Sequence, residues 1–333
     1  MAASDGRLMS AKLPALPGRF RGFQRSKAVA RAGLVTPGLA LLILFALLPL
    51  VALVVSGFLN ADAVPTLENF EHVFSSGTYV TLLQRTSVVA FLVTLASIAL
   101  GWPAAWALAR YTKPERRPLI LGLVIVPYIS SQLLLIYGFL TLIQAGGPIS
   151  ALLSAVHLVS PDDSILYTPW ATFLMLVYES LPTAVLVMYS ASESIQPSVL
   201  EAARTLGTRP IRVFTRVIWP LSAGMLVVNF TLTFVQTVGA FAEPVVLGGP
   251  NGAMLGNAIA SQLSAGVNQG FAVALALVLL ATSLSVVAIA NLAVTTIKRW
   301  QAGDSFAFTR RAVQGERHRP ISTDEGDLAH ETH

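Results

Sequence analysis

Cysteine is absent from this 333-residue chain, and charge is scarce: 12% of residues are Asp, Glu, Lys or Arg, against 54% hydrophobic ones. Without cysteine there can be no disulfide framework, no thiolate zinc site and no cysteine nucleophile. Soluble domains carry roughly 25% charge, so a fraction near half of that excludes both an ordinary cytosolic enzyme and a disordered protein. No glycine is followed by lysine, so the phosphate loop G-x-x-x-x-G-K-[ST] cannot occur and the chain has no such route to ATP hydrolysis. The five histidines, His72, His157, His318, His330 and His333, make no HExxH or other metal-ligand spacing, and no G-x-S-x-G elbow is present. The sequence therefore predicts neither catalytic residues nor a metal site.

Apolar residues dominate instead, with a mean hydropathy of +0.67. A helix needs about 20 apolar residues to cross the hydrocarbon core. Six runs meet that length: Leu34 to Gly57, Ser87 to Ala109, Leu119 to Ile143, Ile165 to Met188, Leu221 to Leu247 and Phe271 to Ile297. None alternates with the period of two that a transmembrane barrel strand requires. The predicted fold class is an all-α integral membrane protein with six transmembrane helices. The first run exceeds the roughly 7 to 15 apolar residues of a cleavable leader, and no small-x-small cleavage site follows it, so it is expected to be a retained span.

The basic residues orient these spans. Arg7, Lys12, Arg19, Arg21, Arg25, Lys27 and Arg31 precede the first run; Arg110, Lys113, Arg116 and Arg117 lie between the second and third, Arg204, Arg209, Arg212 and Arg216 between the fourth and fifth, and six more, Lys298, Arg299, Arg310, Arg311, Arg317 and Arg319, follow the sixth. The other three connections hold only Arg85. The positive-inside rule then puts both termini in the cytoplasm. A net charge of +5 is thus a topology signal and no sign of a nucleic-acid partner. The expected layout is a cytoplasmic tail at 1–33, a transmembrane domain at 34–300 with a cytoplasmic loop at 191–220, and a disordered cytoplasmic tail at 301–333.

Two ionisable residues fall inside the runs, Glu179 and Glu243. An intramembrane carboxylate is costly and marks a candidate pathway or proton relay. Glu179 sits near mid-span beside Tyr178 and shortly before Pro182, whose missing N–H frees a carbonyl one turn back; lining a path and local neutralisation by hydrogen bonds are both open there. Glu243 precedes Pro244 and the Gly248-Gly249-Pro250 turn near the outer boundary, where a water-accessible structural role is favoured over substrate contact. A proton-coupled secondary transporter using Glu179 and Glu243 is the alternative class, and it lacks the inverted repeat such proteins usually show.

The loop between the fourth and fifth runs carries more information. After Pro197, Ser198 to Leu206 is a helix-forming run ended by Gly207, and Thr208 can cap a second helix opening near Pro210, with Arg212 and Arg216 on one face, until Pro220 starts the next span. Leu200, Ala203 and Leu206 give the first helix an apolar stripe suited to a groove in another protein. A rest on lipid headgroups is the other reading of such a loop.

Glu201-Ala202-Ala203, then Gly207, Val217 and Pro220, resemble the E-A-A-x3-G-x9-I-x-L-P signature of the membrane subunits of binding-protein-dependent ABC importers. Val217 for Ile and Trp219 for Leu are the two departures. The resemblance extends over about residues 30 to 300, with Thr66-Leu67-Glu68-Asn69-Phe70, the Gly101 to Arg110 stretch, Val126-Pro127, Tyr137-Gly138, Leu181-Pro182, and Leu247-Gly248-Gly249 with Leu255-Gly256-Asn257 similar to the spermidine/putrescine-type subgroup. Glu179 departs from that subgroup, where an apolar residue is expected.

The resemblance implies a type I ABC importer permease of the bacterial inner membrane. Glu201, Ala202, Ala203 and Gly207 would dock in a cleft of a cytoplasmic ABC ATPase dimer, with Arg212 and Arg216 as further contacts and Pro220 closing the motif. It implies a second permease subunit, an extracytoplasmic solute-binding protein docking on the outer loops 58–86, 144–164 and 248–270, and surrounding lipid. ATP and Mg would be bound by the ATPase, with no cofactor on this chain. Glu179, Glu243 and Tyr178 are the candidate substrate path, and a polyamine such as spermidine or putrescine, or a related small organic ion, is the expected solute.

Overall fold

A computed structural model of the protein describes residues 43–45, 47–59, 64–155, 165–205, 207, 209–266 and 268–316, together with Gly38 and Leu41. The expected tail at 1–33, the start of the first run, residues 156–164 of the second outer loop, Leu206, Thr208 and residues 317–333 lie outside them. The chain divides into two compact units, one up to Ser56 and one from Gly57. The first unit holds most of an apolar helix, α1 (Ile43–Gly57).

Hydrocarbon offers no water to satisfy backbone N–H and C=O groups, so apolar runs become helices that bond internally. The second unit is accordingly a succession of helices: α2 (Glu68–Ser75), α3 (Gly77–Tyr111), α4 (Arg117–Ile129), α5 (Gln132–Ile143), α6 (Pro148–Ala155), α7 (Pro169–Ser194), α8 (Pro197–Thr205), α9 (Pro210–Val213), α10 (Trp219–Val238), α11 (Leu255–Ala265) and α12 (Gln269–Glu316). Among the described residues there is no strand, only an isolated bridge between Leu59 and Pro65. Five segments there are long and apolar enough to span a membrane: Gly77–Tyr111, Gln132–Leu152, Pro169–Ser194, Phe214–Val238 and Gln269–Thr296.

The centre of the unit is built from α3, α7 and α10. Small residues let α3 and α7 approach closely, as helices in lipid associate through packing rather than a hydrophobic driving force. A Cβ on Gly101 would stand 2.7 Å from the Ala184 Cβ. One end of the bundle is filled by Phe234, Leu255, Phe271 and Leu275, with Tyr79 edge-on to Phe271. The other end is filled by Trp102, Met188, Ile195, Val213 and Ile218, and Trp102 lies 5.6 Å from Trp219, centre to centre.

Four features depart from the sequence reading. The Leu119 to Ile143 run is two helices, because Ser130 and Ser131 take extended backbone (ψ 153° and 129°) after Pro127 has removed a donor from the last turn of α4. The apolar segment that qualifies as a span consequently begins at Gln132 and continues to Leu152. The Leu221 to Leu247 run ends as α-helix at Val238; Gly239 to Phe241 break it, and Pro244–Gly248 forms a wide π-helical turn. Finally, α12 continues to Glu316, where a tail without structure is expected; no proline falls between Gln301 and Glu316 to stop it.

The exceptional Arg85 also acquires a local role. It donates to the carbonyls of Asn251 (2.8 Å) and Ala253 (3.4 Å), while Thr86 Oγ1 accepts from the Leu255 N–H at 2.8 Å. The first turns of α3 thereby hold the loop between α10 and α11.

Candidate substrate path and coupling elbow

Glu179 lies close to the midpoint of α7 and is half-buried. Glu243 follows the break after α10 and is 1% exposed, so the water-accessible setting expected for it is not what the fold provides. The reason lies just beyond it. Pro244 and Leu247 of the wide turn are buried, and Leu247 packs among Ile136, Ile143, Ala171 and Met175, which draws the start of the turn inward.

The break in the third run then supplies Glu243 with a partner. Gln132 opens α5 directly after the extended Ser130-Ser131 pair, and its Nε2 donates to Glu243 Oε1. Glu243 Oε2 has no donor among the described residues, and the neighbouring ionisable group is a second acid, Glu179. Two bare carboxylates side by side repel, so the pair calls for a positive charge or a proton between them.

Both acids line one cavity of about 280 Å³, together with Gln132, Leu176, Ser180, Gln236, Thr237, Gly239, Ala240 and Phe241. The cavity touches the carbonyl end of α10, where the helix dipole is negative. Ser180 spends its proton on the Leu176 carbonyl at 2.7 Å, leaving its oxygen as an acceptor. The structure thus brings Glu179 and Glu243 together, as lining residues of a common path would be. Tyr178 is not part of this lining: one residue along a helix is 100° around it, and its half-exposed ring stacks on Phe139 at 6.3 Å. Gln132, Gln236 and Thr237 are additions that sequence reasoning missed; uncharged amides inside apolar runs were the available signal.

At the other site, α8 and α9 meet at Gly207, whose φ of +65° is the left-handed backbone that glycine adopts without a Cβ penalty. Space around it is open, so conformation and not crowding selects glycine. Glu201, Ala202, Thr205 and Gly207 are exposed, as are Arg212 and Arg216. Leu200 and Ala203 instead pack on the cluster of Trp102, Met188, Ile195 and Val213. The apolar stripe is therefore turned onto the protein's own core, and the polar edge headed by Glu201 is left free for a partner; Leu206 lies outside the described residues.

Beyond the elbow, α9 runs without interruption through a π-helical turn at Phe214–Ile218 into α10. Pro220 does not break this helix. Its ring would meet the carbonyl one turn back in a regular helix, and the wide turn just before it gives the room. The far end of this continuous helix reaches the acid cavity. The elbow is fixed from the other side by Arg110 of α3, which donates to the carbonyls of Ser192 (2.9 Å) and Ile195 at the end of α7 and sits 5.0 Å over the Trp106 ring. Arg117 adds bonds to the Ala109 and Thr112 carbonyls at 2.8 and 3.1 Å and an ion pair with Glu193 at 3.7 Å.

Residues 97–299 match the family model described as "Binding-protein-dependent transport system inner membrane component". The chain is 33% identical over 228 residues to the spermidine/putrescine transport system permease protein PotB of Salmonella typhimurium (strain SL1344), covering 66% of this chain and 78% of that one. It is 32% identical over 228 residues to PotB of Escherichia coli (strain K12), covering 66% and 82%. The putative 2-aminoethylphosphonate transport system permease protein PhnU of Salmonella choleraesuis (strain SC-B67) is 28% identical over 202 residues, 60% of this chain and 70% of that one. Among solved structures, a chain of a bacterial ABC transporter involved in the import of the acidic polysaccharide alginate superposes with a TM-score of 0.66 at 18% identity, over 82% of this chain and 99% of that one, a likeness of fold.

Proposed function

The chain belongs to the family of binding-protein-dependent transport system inner membrane components and is a PotB-like permease of an ABC importer in a bacterial inner membrane, and from that premise we propose that its solute is a polyamine, spermidine or putrescine, or a closely related small organic cation. The single observation that carries this reading is the pairing of two acids, Glu179 and Glu243, in one intramembrane cavity lined by no basic residue. An intramembrane acid pair is retained against its desolvation cost when a cation has to pass it.

In this reading the solute arrives on an extracytoplasmic binding protein and enters a path shared with a second permease. A separate ATPase pair, holding ATP and Mg, grips the polar edge of α8 at Glu201, Ala202 and Ala203. Gly207 lets α9 turn away at the required angle, and Arg212 and Arg216 make further contacts on that partner. The unbroken helix from Pro210 through Pro220 to Val238 then transmits closure of the ATPase to the Glu243 end of the cavity. No catalytic residue or metal is assigned to this chain. The proton-coupled alternative would leave the exposed elbow without a task.

Deleting the gene and following uptake of labelled spermidine, putrescine and 2-aminoethylphosphonate tests the solute class. Loss of spermidine or putrescine uptake, restored by the gene on a plasmid, is the expected result. Loss of 2-aminoethylphosphonate uptake alone, with polyamine uptake intact, overturns the polyamine reading.

A further inference from the structure

The cavity itself has a chemistry narrower than "cationic". Acceptors predominate in it: the carboxyls of Glu179 and Glu243, the committed hydroxyl of Ser180, and the carbonyl end of α10, with the Gln132 and Gln236 amides as the side chains that also carry N–H donors. The Gln132 amide already donates to Glu243 Oε1, which orients that carboxyl and leaves Oε2 without a donor. Thr237 adds a further acceptor to the lining. It is 1% exposed, lines the same cavity from α10, and its Oγ1 has no hydrogen-bond partner among the described residues. Ser222 and Thr233 on the same helix are also buried without a partner among the described residues, and what sets Thr237 apart is that it lines the cavity beside the two acids. Buried polar groups left open in this way await a ligand or water.

Three apolar residues complete the wall: Leu176, Ala240 and the half-exposed Phe241. A group with several N–H donors and one positive charge on an apolar stem fits this combination. A compact ammonium supplies three donors, enough for Glu179, Glu243 Oε2 and Thr237 Oγ1 at once, and its methylenes would lie along the apolar side. An anion adds to the negative charge of the pair, and a neutral alcohol leaves its neutralisation to a proton.

We propose that this cavity is a binding site for the protonated end of an alkyl amine, with Glu179 and Glu243 as counter-ions, Thr237 Oγ1 as third acceptor, and Leu176, Ala240 and Phe241 against the stem. The site deepens the importer reading and rests on it for how the amine arrives. It recognises one ammonium group, so a monoamine occupies it as well as the first end of a diamine does.

The test is equilibrium binding of radiolabelled putrescine to the assembled transporter in lipid nanodiscs, without binding protein or ATP. The site predicts displacement by n-butylamine and none by 1-butanol at the same concentration. Glu179→Gln with Glu243→Gln should weaken binding at least about tenfold, since two charge-assisted bonds are lost. Thr237→Val, which keeps shape, should weaken it about threefold. Wild-type protein that binds no putrescine, displacement by 1-butanol equal to that by n-butylamine, or a double variant within about twofold of wild type each overturns the site. Should the double variant not assemble, Thr237→Val decides, an unchanged affinity counting against the site. ATP-dependent uptake by elbow variants tests the importer reading on its own, so the two can fail separately.

Discussion

The acid cavity and the exposed elbow sit at opposite ends of the continuous helix that includes α10 and are made by opposite means. The cavity is defined by what side chains carry: two carboxyls, an amide and an open hydroxyl held in place by buried neighbours such as Leu247. The elbow is defined by backbone shape and by what is left exposed, a glycine at φ +65° in open space and a polar helix edge above an inward-facing apolar one. A site that must recognise a small ion needs chemistry fixed in a dry interior, whereas a site that must transmit a push to another protein needs a rigid shape on the surface. The two should therefore respond to different substitutions.

The largest effect is expected where shape is forbidden. Gly207→Pro forces φ toward about −65° at a position that holds +65°, and should abolish uptake while the protein remains in the membrane at a normal level. Labelled spermidine uptake normalised to permease quantified on immunoblots of membranes checks this, and normal uptake would break the comparison at the elbow. Next comes the packing that both sites depend on. Gly101→Val places a Cβ 2.7 Å from the Ala184 Cβ and should lower stability by about 1–3 kcal/mol, read as a lower thermal midpoint of the purified protein rather than as a selective loss of coupling.

At the cavity, charge should matter more than length. Glu179→Gln is expected to cut transport about tenfold and Glu179→Asp only about twofold, measured as initial uptake rates at subsaturating solute. Equal rates for the two variants would assign Glu179 a structural role. The smallest effect sharpens the contrast: Gly207→Ala meets no atom within 4 Å, so only the positive φ resists it, at about 1 kcal/mol, and most uptake should survive.

Much of this was legible in the sequence, for physical reasons. Apolar length fixes helices because lipid leaves no alternative, and Gly207 after a helix-forming run announces a left-handed cap whatever its surroundings. What escaped depends on long-range packing. Leu200 and Ala203 form a stripe in the sequence, but only the position of Trp102 and Met188 shows that it faces the protein's own core. The Leu119 to Ile143 run reads as one span because its composition is uniform, yet Pro127 and the Ser130-Ser131 pair split it and aim Gln132 at Glu243. Arg85, the lone basic residue in the connections expected on the outer side, looks like an exception to the charge rule until the Asn251 and Ala253 carbonyls it binds are seen. Glu243 reads as a boundary residue by its neighbours Pro244 and Gly248, and only the burial of Leu247 turns it inward.

The central claim is that an exposed elbow headed by Glu201 couples a separate ATPase to a cation path ending at Glu179 and Glu243. Accumulation of labelled spermidine in proteoliposomes that contain both permeases and the ATPase pair, with binding protein outside and ATP inside, tests it most directly when wild type is set beside Glu201→Lys. The account predicts ATP-dependent accumulation by wild type and none by Glu201→Lys, although the variant assembles in the bilayer; accumulation by Glu201→Lys at the wild-type rate would contradict it.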